Sequence, residues 1–227
     1  MSAARAWAEQ RLGHVFADPQ LLELALTHRS AAARNNERLE FLGDAVLGAV
    51  IARAVFERRP DAGEGVLSRI RSRLVRGETL AEVATELGLG PLVRLGSGEA
   101  RTGGHQRASI LANALEALFG AVWLDGGTPA VERVILALFA TRLAALPGEH
   151  ELTDPKTRLQ EWLQGQGLAP PAYAVTTVVG APHAQTFEVV CTVPALDLAI
   201  GGHGTSRRLA EQDAAARALD RLCGEPS

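Results

Sequence analysis

The sequence predicts two folds in tandem. An all-helical domain is expected over residues 1–146 and an α-β-β-β-α domain over residues 154–227, joined by a linker at 147–153. Three observations carry this reading. Apolar residues recur at helical spacing through the first domain, and nothing there alternates as a strand. The polar stretch opening with Pro147-Gly148 then interrupts the pattern. Beyond it, β-branched and alternating runs appear, bounded by Gly, Pro and His.

In chain order, helical spacing is found at 21–26, 39–56, 66–75, 80–87, 110–124 and 131–146. Breaks fall at Arg59-Pro60-Asp61-Ala62-Gly63, Gly88-Leu89-Gly90-Pro91 and Asp125-Gly126-Gly127-Thr128-Pro129. After the linker, Asp154-Pro155 suits an N-cap followed by proline at the first helical position, opening a helix through residue 164. Strands are expected at 173–179, 186–193 and 196–200. Helical spacing returns over 205–222, with Leu209, Ala210, Ala214, Leu219 and Leu222 expected on the inner side.

Composition narrows the classes. At 227 residues the chain can bury a sizeable core. No run of about 18 apolar residues is free of charge, so no membrane span is expected, and residues 1–9 lack the apolar core of a signal peptide. Cys191 and Cys223 are the only cysteines and have no CxxC spacing, which argues against zinc or a disulfide framework and for a cytoplasmic location. The net charge of −3 and pI near 6.1 lack the basic balance usual for nucleic-acid binders, although an average hides local patches. Lys156 is the only lysine, a skew that genome-wide composition bias explains as well as phosphate binding does.

Glu37-Arg38-Leu39-Glu40-Phe41-Leu42-Gly43-Asp44-Ala45-Val46-Leu47 is the most informative stretch. Glu37, Glu40 and Asp44 are spaced i, i+3 and i+7, so they line one side of a helix. The neighbouring residues are apolar, as in a helix buried within a domain. Unpaired buried carboxylates lose hydration at a cost of several kcal/mol each, on the order of that for any isolated ion. Such a line therefore calls for a cation, a shifted pKa or a wet cleft.

A second helix, Ser109-Ile110-Leu111-Ala112-Asn113-Ala114-Leu115-Glu116-Ala117-Leu118-Phe119-Gly120, repeats the pattern with Asn113 and Glu116. Each polar line runs on to a glycine, Gly48 in the first helix and Gly120 in the second. Packed line against line, the helices would form an oxygen-lined pocket suited to a hard divalent cation such as Mg²⁺. Such an ion could activate water against a phosphodiester.

A carboxylate di-iron bundle would need Glu-x-x-His pairs, and no glutamate here has histidine three residues later. The six histidines show no ligand spacing. Glu64 is a further acid for the pocket mouth, or a loop residue before its helix. No Walker-type phosphate loop is present, and no small-molecule organic cofactor is expected.

Three segments together resemble the ribonuclease III family: Asn36 to Leu47 of the stretch above, Glu64-Gly65-Val66-Leu67-Ser68-Arg69-Ile70-Arg71, and Ser109 to Leu118. The resemblance covers essentially the whole chain in the arrangement of the short bacterial enzymes. It implies Mg²⁺-dependent hydrolysis of double-stranded RNA to 5′-phosphate and 3′-hydroxyl ends, with Mn²⁺ as a substitute ion. The metal ligands would be Glu40, Asp44, Asn113 and Glu116, with Asp44 and Glu116 as the catalytic pair. Asn113 stands where the family typically has aspartate, which removes one charge but keeps an oxygen donor. A homodimer is also implied, with Phe41 entering a socket on the partner or, alternatively, packing in the core. Processing of precursor rRNA, and of mRNA and tRNA, follows by analogy.

The second domain resembles the double-stranded RNA-binding domain, which reads the shape of A-form duplex. Thr157, Gln160 and Gln164 share one helical face, and the loop carrying His183 would enter a second minor groove. Ser206, Arg207 and Arg208 open the last helix as a phosphate cradle. Two other classes compete: a protein that holds duplex RNA without cutting it, and an all-helical nucleotide pyrophosphohydrolase, which would have no use for the second domain.

Overall fold

A computed structural model describes residues 3–148, 152, 154–181 and 185–224. The chain divides into two compact units, Met1–Leu146 and Pro147–Ser227.

The first unit contains α1 (Ala3–Leu12), α2 (Pro19–Ala25), α3 (Glu37–Arg58), α4 (Glu64–Val75), α5 (Gly77–Glu86), α6 (Ser97–Arg101), α7 (Ala108–Leu138) and α8 (Ala140–Ala144). Helix α1 was not expected. Its alanine-rich sequence has helix propensity but little apolar periodicity. It docks through Ala8 and Leu12, and the Trp7 indole donates to the carbonyl of Leu87 at 2.9 Å. Asp18 caps α2 by accepting from Gln20 N, with Pro19 at the first helical position.

Helix α7 runs through the centre of the unit and is the only described helix long and apolar enough to cross a bilayer, with a mean hydropathy of 1.3 over its best window. Here the protein itself covers it: residues 110–122 are buried apart from Asn113 and Glu116. The expected break at 125–129 appears as a kink at Gly127, whose φ of 70° and ψ of −173° leave the helical region. Asp125 braces the kink, accepting from the backbone N–H groups of Ala17 and Asp18 and from His14 Nε2 at 2.8 Å. The expected helix over 131–146 is interrupted at Phe139 before α8 begins.

Helix α3 lies along α7 and buries Leu39, Gly43, Leu47, Val50, Ile51, Ala54 and Val55. It is not apolar and buried all round, as its sequence suggested. Phe41 is 81 % exposed and Phe56 66 % exposed. Both project from a side of α3 that also exposes Ala45 and Ala49. Core packing is therefore excluded for Phe41 within one chain.

The second unit contains α9 (Pro155–Gly165), β1 (Ala172–Val179), β2 (Thr186–Val193), β3 (Leu198–Gly204) and α10 (Arg207–Cys223). The strands form an antiparallel sheet in the order β1-β2-β3, with Tyr173 opposite Cys191 and Cys191 opposite Ile200. Leu159, Leu163, Cys191, Val193, Ala214, Ala215, Ala218 and Leu219 form its core. Asp154 caps α9 as expected, accepting from Lys156 N at 2.9 Å.

Two expectations needed correction. The third strand starts later and runs through the glycines, because Pro194–Leu196 forms a 3₁₀ turn and Asp197 adopts φ 49°. Gly202 stays in the strand because α10 passes too close for a side chain: a Cβ there would meet Ala214 N at 2.2 Å. Leu209 is 49 % exposed rather than inward, since the helix starts at Arg207 with Ala210 and Ala214 facing the sheet.

Candidate active site

The site begins with two glycines. A Cβ on Gly43 of α3 would fall 1.7 Å from the carbonyl oxygen of Glu116 on α7, and one on Gly120 would fall 2.3 Å from that of Leu39. Backbones can approach this closely only where both side chains are absent. Gly48, to which the polar line of α3 runs on, makes no such approach: a Cβ at that position meets nothing within 4 Å. The crossing instead sits beside the acids, between Glu40 and Asp44 on α3 and next to Glu116 on α7.

Glu40, Asn113 and Glu116 are half-buried, whereas Glu37 and Asp44 are exposed. Burial, reinforced by the charges of Asp44 and Glu40, pushes the Glu116 carboxyl up to about 7. The Glu40 carboxyl is also raised, by burial first and then by Glu37; a hydrogen bond with Asn113 and the charge of Arg29 oppose the rise. The two helices thus bring Glu40, Asp44 and Glu116 into one electrostatic neighbourhood, with the Asn113 amide at Glu40.

Among the described residues, no three Asp, Glu, His or Cys side chains are gathered closely enough to hold a metal ion as they stand. The donor set is nonetheless the all-oxygen kind that Mg²⁺ takes, and a cation would relieve the repulsion that raises Glu40 and Glu116. The residues therefore fit such an ion.

Glu37, Glu40 and Asn113 line a cleft of about 550 Å³. His28, Arg29, Ser30, Glu99 and Arg107 form other parts of its wall. None of these five was singled out in the sequence. The polar run Thr27-His28-Arg29-Ser30, directly after the apolar α2, was the available signal. Glu64 lines a different groove, with Ala52, Arg53, Phe56, Leu67, Ser68 and Arg71, and accepts from Ser68 Oγ at 2.7 Å.

In the second unit, Thr157, Gln160 and Gln164 are all exposed on α9, away from the buried Leu159 and Leu163. Ser206 caps α10 by accepting from Leu209 N. Arg207 and Arg208 are exposed in its first turn. Arg207 Nε also donates to Glu211 Oε1 at 2.8 Å, while Lys156 Nζ donates to Glu211 Oε2 at 2.6 Å and lies 4.5 Å from the Tyr173 ring centroid. His183 lies outside the described residues.

Residues 18–143 match the family model described as Ribonuclease-III-like, and residues 155–222 match that described as Double-stranded RNA binding motif. A helical nuclease domain followed by a duplex-RNA reader defines the class, an endoribonuclease acting on double-stranded RNA. Similar curated proteins include Ribonuclease 3 of Pseudomonas fluorescens (strain SBW25), 52 % identical over 98 % of this chain and 97 % of that protein. Ribonuclease 3 of Dechloromonas aromatica (strain RCB) is 54 % identical over 94 % of this chain and 96 % of its own. The crystal structure of the nuclease domain of ribonuclease III from Campylobacter jejuni is 38 % identical, covers 65 % of this chain and 100 % of its own, and superposes with a TM-score of 0.61. A second structure of that domain, described in terms of flexibility in a region involved in dimer formation, is 40 % identical over 60 % of this chain and 95 % of its own, with a TM-score of 0.58. The chain belongs to the ribonuclease III family.

Proposed function

We propose that this endoribonuclease cuts double-stranded RNA at the α3–α7 crossing, with Glu40, Asp44, Asn113 and Glu116 holding a divalent cation, Mg²⁺ by preference and Mn²⁺ as a substitute. The observation that carries the assignment is the Glu116 carboxyl, raised to about 7 by burial and by the charges of Asp44 and Glu40, beside a backbone contact that fixes both helices. When bound, the ion supplies charge neutralisation for the phosphodiester and lowers the pKa of the attacking water.

The chain's own residues supply the rest. Asp44 and Glu116 flank the reacting centre as carboxylates, which orient the attacking water and the ion that would activate it. The water oxygen bonds to phosphorus as the P–O3′ bond breaks and a proton passes to O3′, leaving a 5′-phosphate and a 3′-hydroxyl. Asn113 contributes an amide oxygen without charge. Glu37 adds a further acid to the cleft.

Thr157, Gln160 and Gln164 would face the duplex minor groove, with His183 at a second groove. Ser206, Arg207 and Arg208 would contact phosphate. A homodimer is supported by the two exposed phenylalanines on α3, Phe41 above all, and by the dimer-forming region described for the Campylobacter jejuni domain. Glu64, beside Phe56 on that side, would act as a cleft acid only if a partner chain brought it there. The natural substrates would be structured precursors of rRNA, mRNA and tRNA in the cytoplasm.

The test is incubation of the full chain with long duplex RNA, with and without Mg²⁺, and with nucleoside triphosphates alone. Cleavage only of the duplex, only with the ion, and lost in Glu116→Gln is the expected result. Full activity in Glu116→Gln would overturn the site assignment. Binding without cleavage by the native chain would leave only a duplex-holding protein.

A further inference from the structure

We propose that His28, Arg29 and Arg107 form a subsite for a phosphate of the cut RNA strand other than the scissile one. This rests on the nuclease reading above. The three residues line the same cleft as Glu37, Glu40 and Asn113, so a strand engaged at the acids would run past them.

Their geometry is built rather than incidental. Arg29 Nη1 lies 3.5 Å from Glu37 Oε1, and Arg107 is paired with Glu99 and contacts Thr102 Oγ1 through Nη2 at 3.4 Å. A guanidinium has five N–H donors, and each carboxylate orients one edge while leaving others for an anion. Both arginine side chains keep large exposure, 71 % for Arg29 and 46 % for Arg107.

His28 is held in one tautomer. Ser30 N–H, which can only donate, points at His28 Nδ1 at 3.2 Å, and Ser30 Oγ lies 2.8 Å from the same nitrogen. Nδ1 is therefore the acceptor, which leaves Nε2–H as the ring's donor. The wall behind it is fixed. Gly96 N donates to Ser30 Oγ at 3.0 Å, and a Cβ on Gly96 would meet the Ser30 carbonyl at 2.2 Å. His28 N donates to the Arg94 carbonyl at 3.0 Å and Arg94 N to that of Leu26 at 2.7 Å.

The chemistry selects the ligand. The cleft offers two forked cations and an imidazole N–H donor, and its lining includes no Phe, Tyr or Trp on which a base would stack. That combination suits a backbone phosphate, and such a contact sets register without reading sequence.

The test uses the full chain in single-turnover cleavage of a short duplex carrying one neutral methylphosphonate at each phosphate within two positions of the cut. One flanking position is expected to slow the native enzyme by about tenfold. Arg107→Ala or Arg29→Ala should slow cleavage of the unmodified duplex similarly and show no further loss with that methylphosphonate; Arg107→Lys should recover part of the rate. The proposal is overturned if no flanking methylphosphonate slows the native enzyme, a result independent of how any variant folds. It is equally overturned if the variant and methylphosphonate losses multiply at every position. Failure of the underlying reading looks different: the native chain would not cut the unmodified duplex in Mg²⁺ at all.

Discussion

Gly43 and Glu116 meet backbone to backbone. The space a Cβ on Gly43 would occupy is taken by the Glu116 carbonyl oxygen, 1.7 Å away, with Gly120 N at 3.0 Å. Neither neighbour is a flexible side-chain tip that could swing aside. Gly43→Ala must therefore push α3 and α7 apart, and overpacking of this kind destabilises by about 1–3 kcal/mol or more. The same displacement moves Glu40 and Asp44 away from Glu116. Thermal unfolding should report a lower Tm, and single-turnover cleavage a loss larger than the stability change explains. Gly48→Ala is the control; open space at that position predicts near-native behaviour in both assays.

Glu116 gives a pH prediction. Burial first, then the charges of Asp44 and Glu40, raise its carboxyl to about 7 from an ordinary value of 4.5. Between those values the folded state holds more protons than the unfolded one, so ion-free stability falls as pH rises through that window and levels off above it. Glu116→Gln removes the effect. In chelator, the variant should melt higher than the native chain at pH 8, and the gap should close near pH 4.5. A constant gap across that range would show that burial and the neighbouring carboxylates do not raise the Glu116 carboxyl. Because ligands bind metal deprotonated, Mg²⁺ affinity should rise with pH through the same window.

Asn113→Asp tests the missing charge. A fourth carboxylate beside Glu40 replaces an amide hydrogen bond with like-charge repulsion. The ion-free protein should lose stability, while the Mg²⁺ concentration giving half-maximal cleavage should fall several-fold. Titration of cleavage rate against Mg²⁺, with melting curves in chelator, measures both. An unchanged Mg²⁺ requirement would remove Asn113 from the ligand set.

Much of this arrangement was legible in the sequence because spacing alone determines it. Glu40 and Asp44 share a helical side wherever the helix goes, as do Asn113 and Glu116, and the Asp154-Pro155 cap is local. What escaped depends on long-range packing. Nothing near Gly43 says that it, rather than Gly48, meets α7. Phe41 looks like its apolar neighbours until α7 is seen to cover only the other side of α3. Residues of the 27–30 run become part of a cleft with Arg107 only through the contact of Ser30 with Gly96, 66 positions away. The third strand was cut short for the same reason, since its glycines are explained by α10 passing over them.

Phe41 sets a prediction about assembly. A phenylalanine 81 % exposed in the second turn of α3 leaves apolar surface in water, and partner burial would recover roughly 1.5–3 kcal/mol per chain. Phe41→Ala should weaken self-association measured by sedimentation, with little change in the helical signal. The exposed position makes a folding defect an unsuitable explanation for any change. A native chain that sediments as a monomer at all concentrations would refute the dimer.

Arg207 and Arg208 stand side by side at the start of α10, but their tethering differs, and so should their variants. Arg208 is exposed, and Arg208→Ala should mainly reduce the salt dependence of duplex binding, by roughly one unit of slope for one lost phosphate contact. Arg207 also holds Glu211, a carboxylate only 8 % exposed that Lys156 grips from the other side. Lys156 first, then Arg207, keeps the Glu211 carboxyl below its usual range. A depressed folded pKa contributes stability above the unfolded value near 4.5, and that contribution is lost as pH falls through the folded pKa. Arg207→Ala should therefore lower both the salt slope and the melting temperature at pH 7, with the melting difference shrinking below pH 4. Lys156→Met should show the larger pH-dependent stability loss, since Lys156 is the stronger partner. If Arg207→Ala instead behaved as Arg208→Ala does, with binding weakened and melting unchanged, the Glu211 contact would be incidental and Lys156 alone would hold that carboxylate.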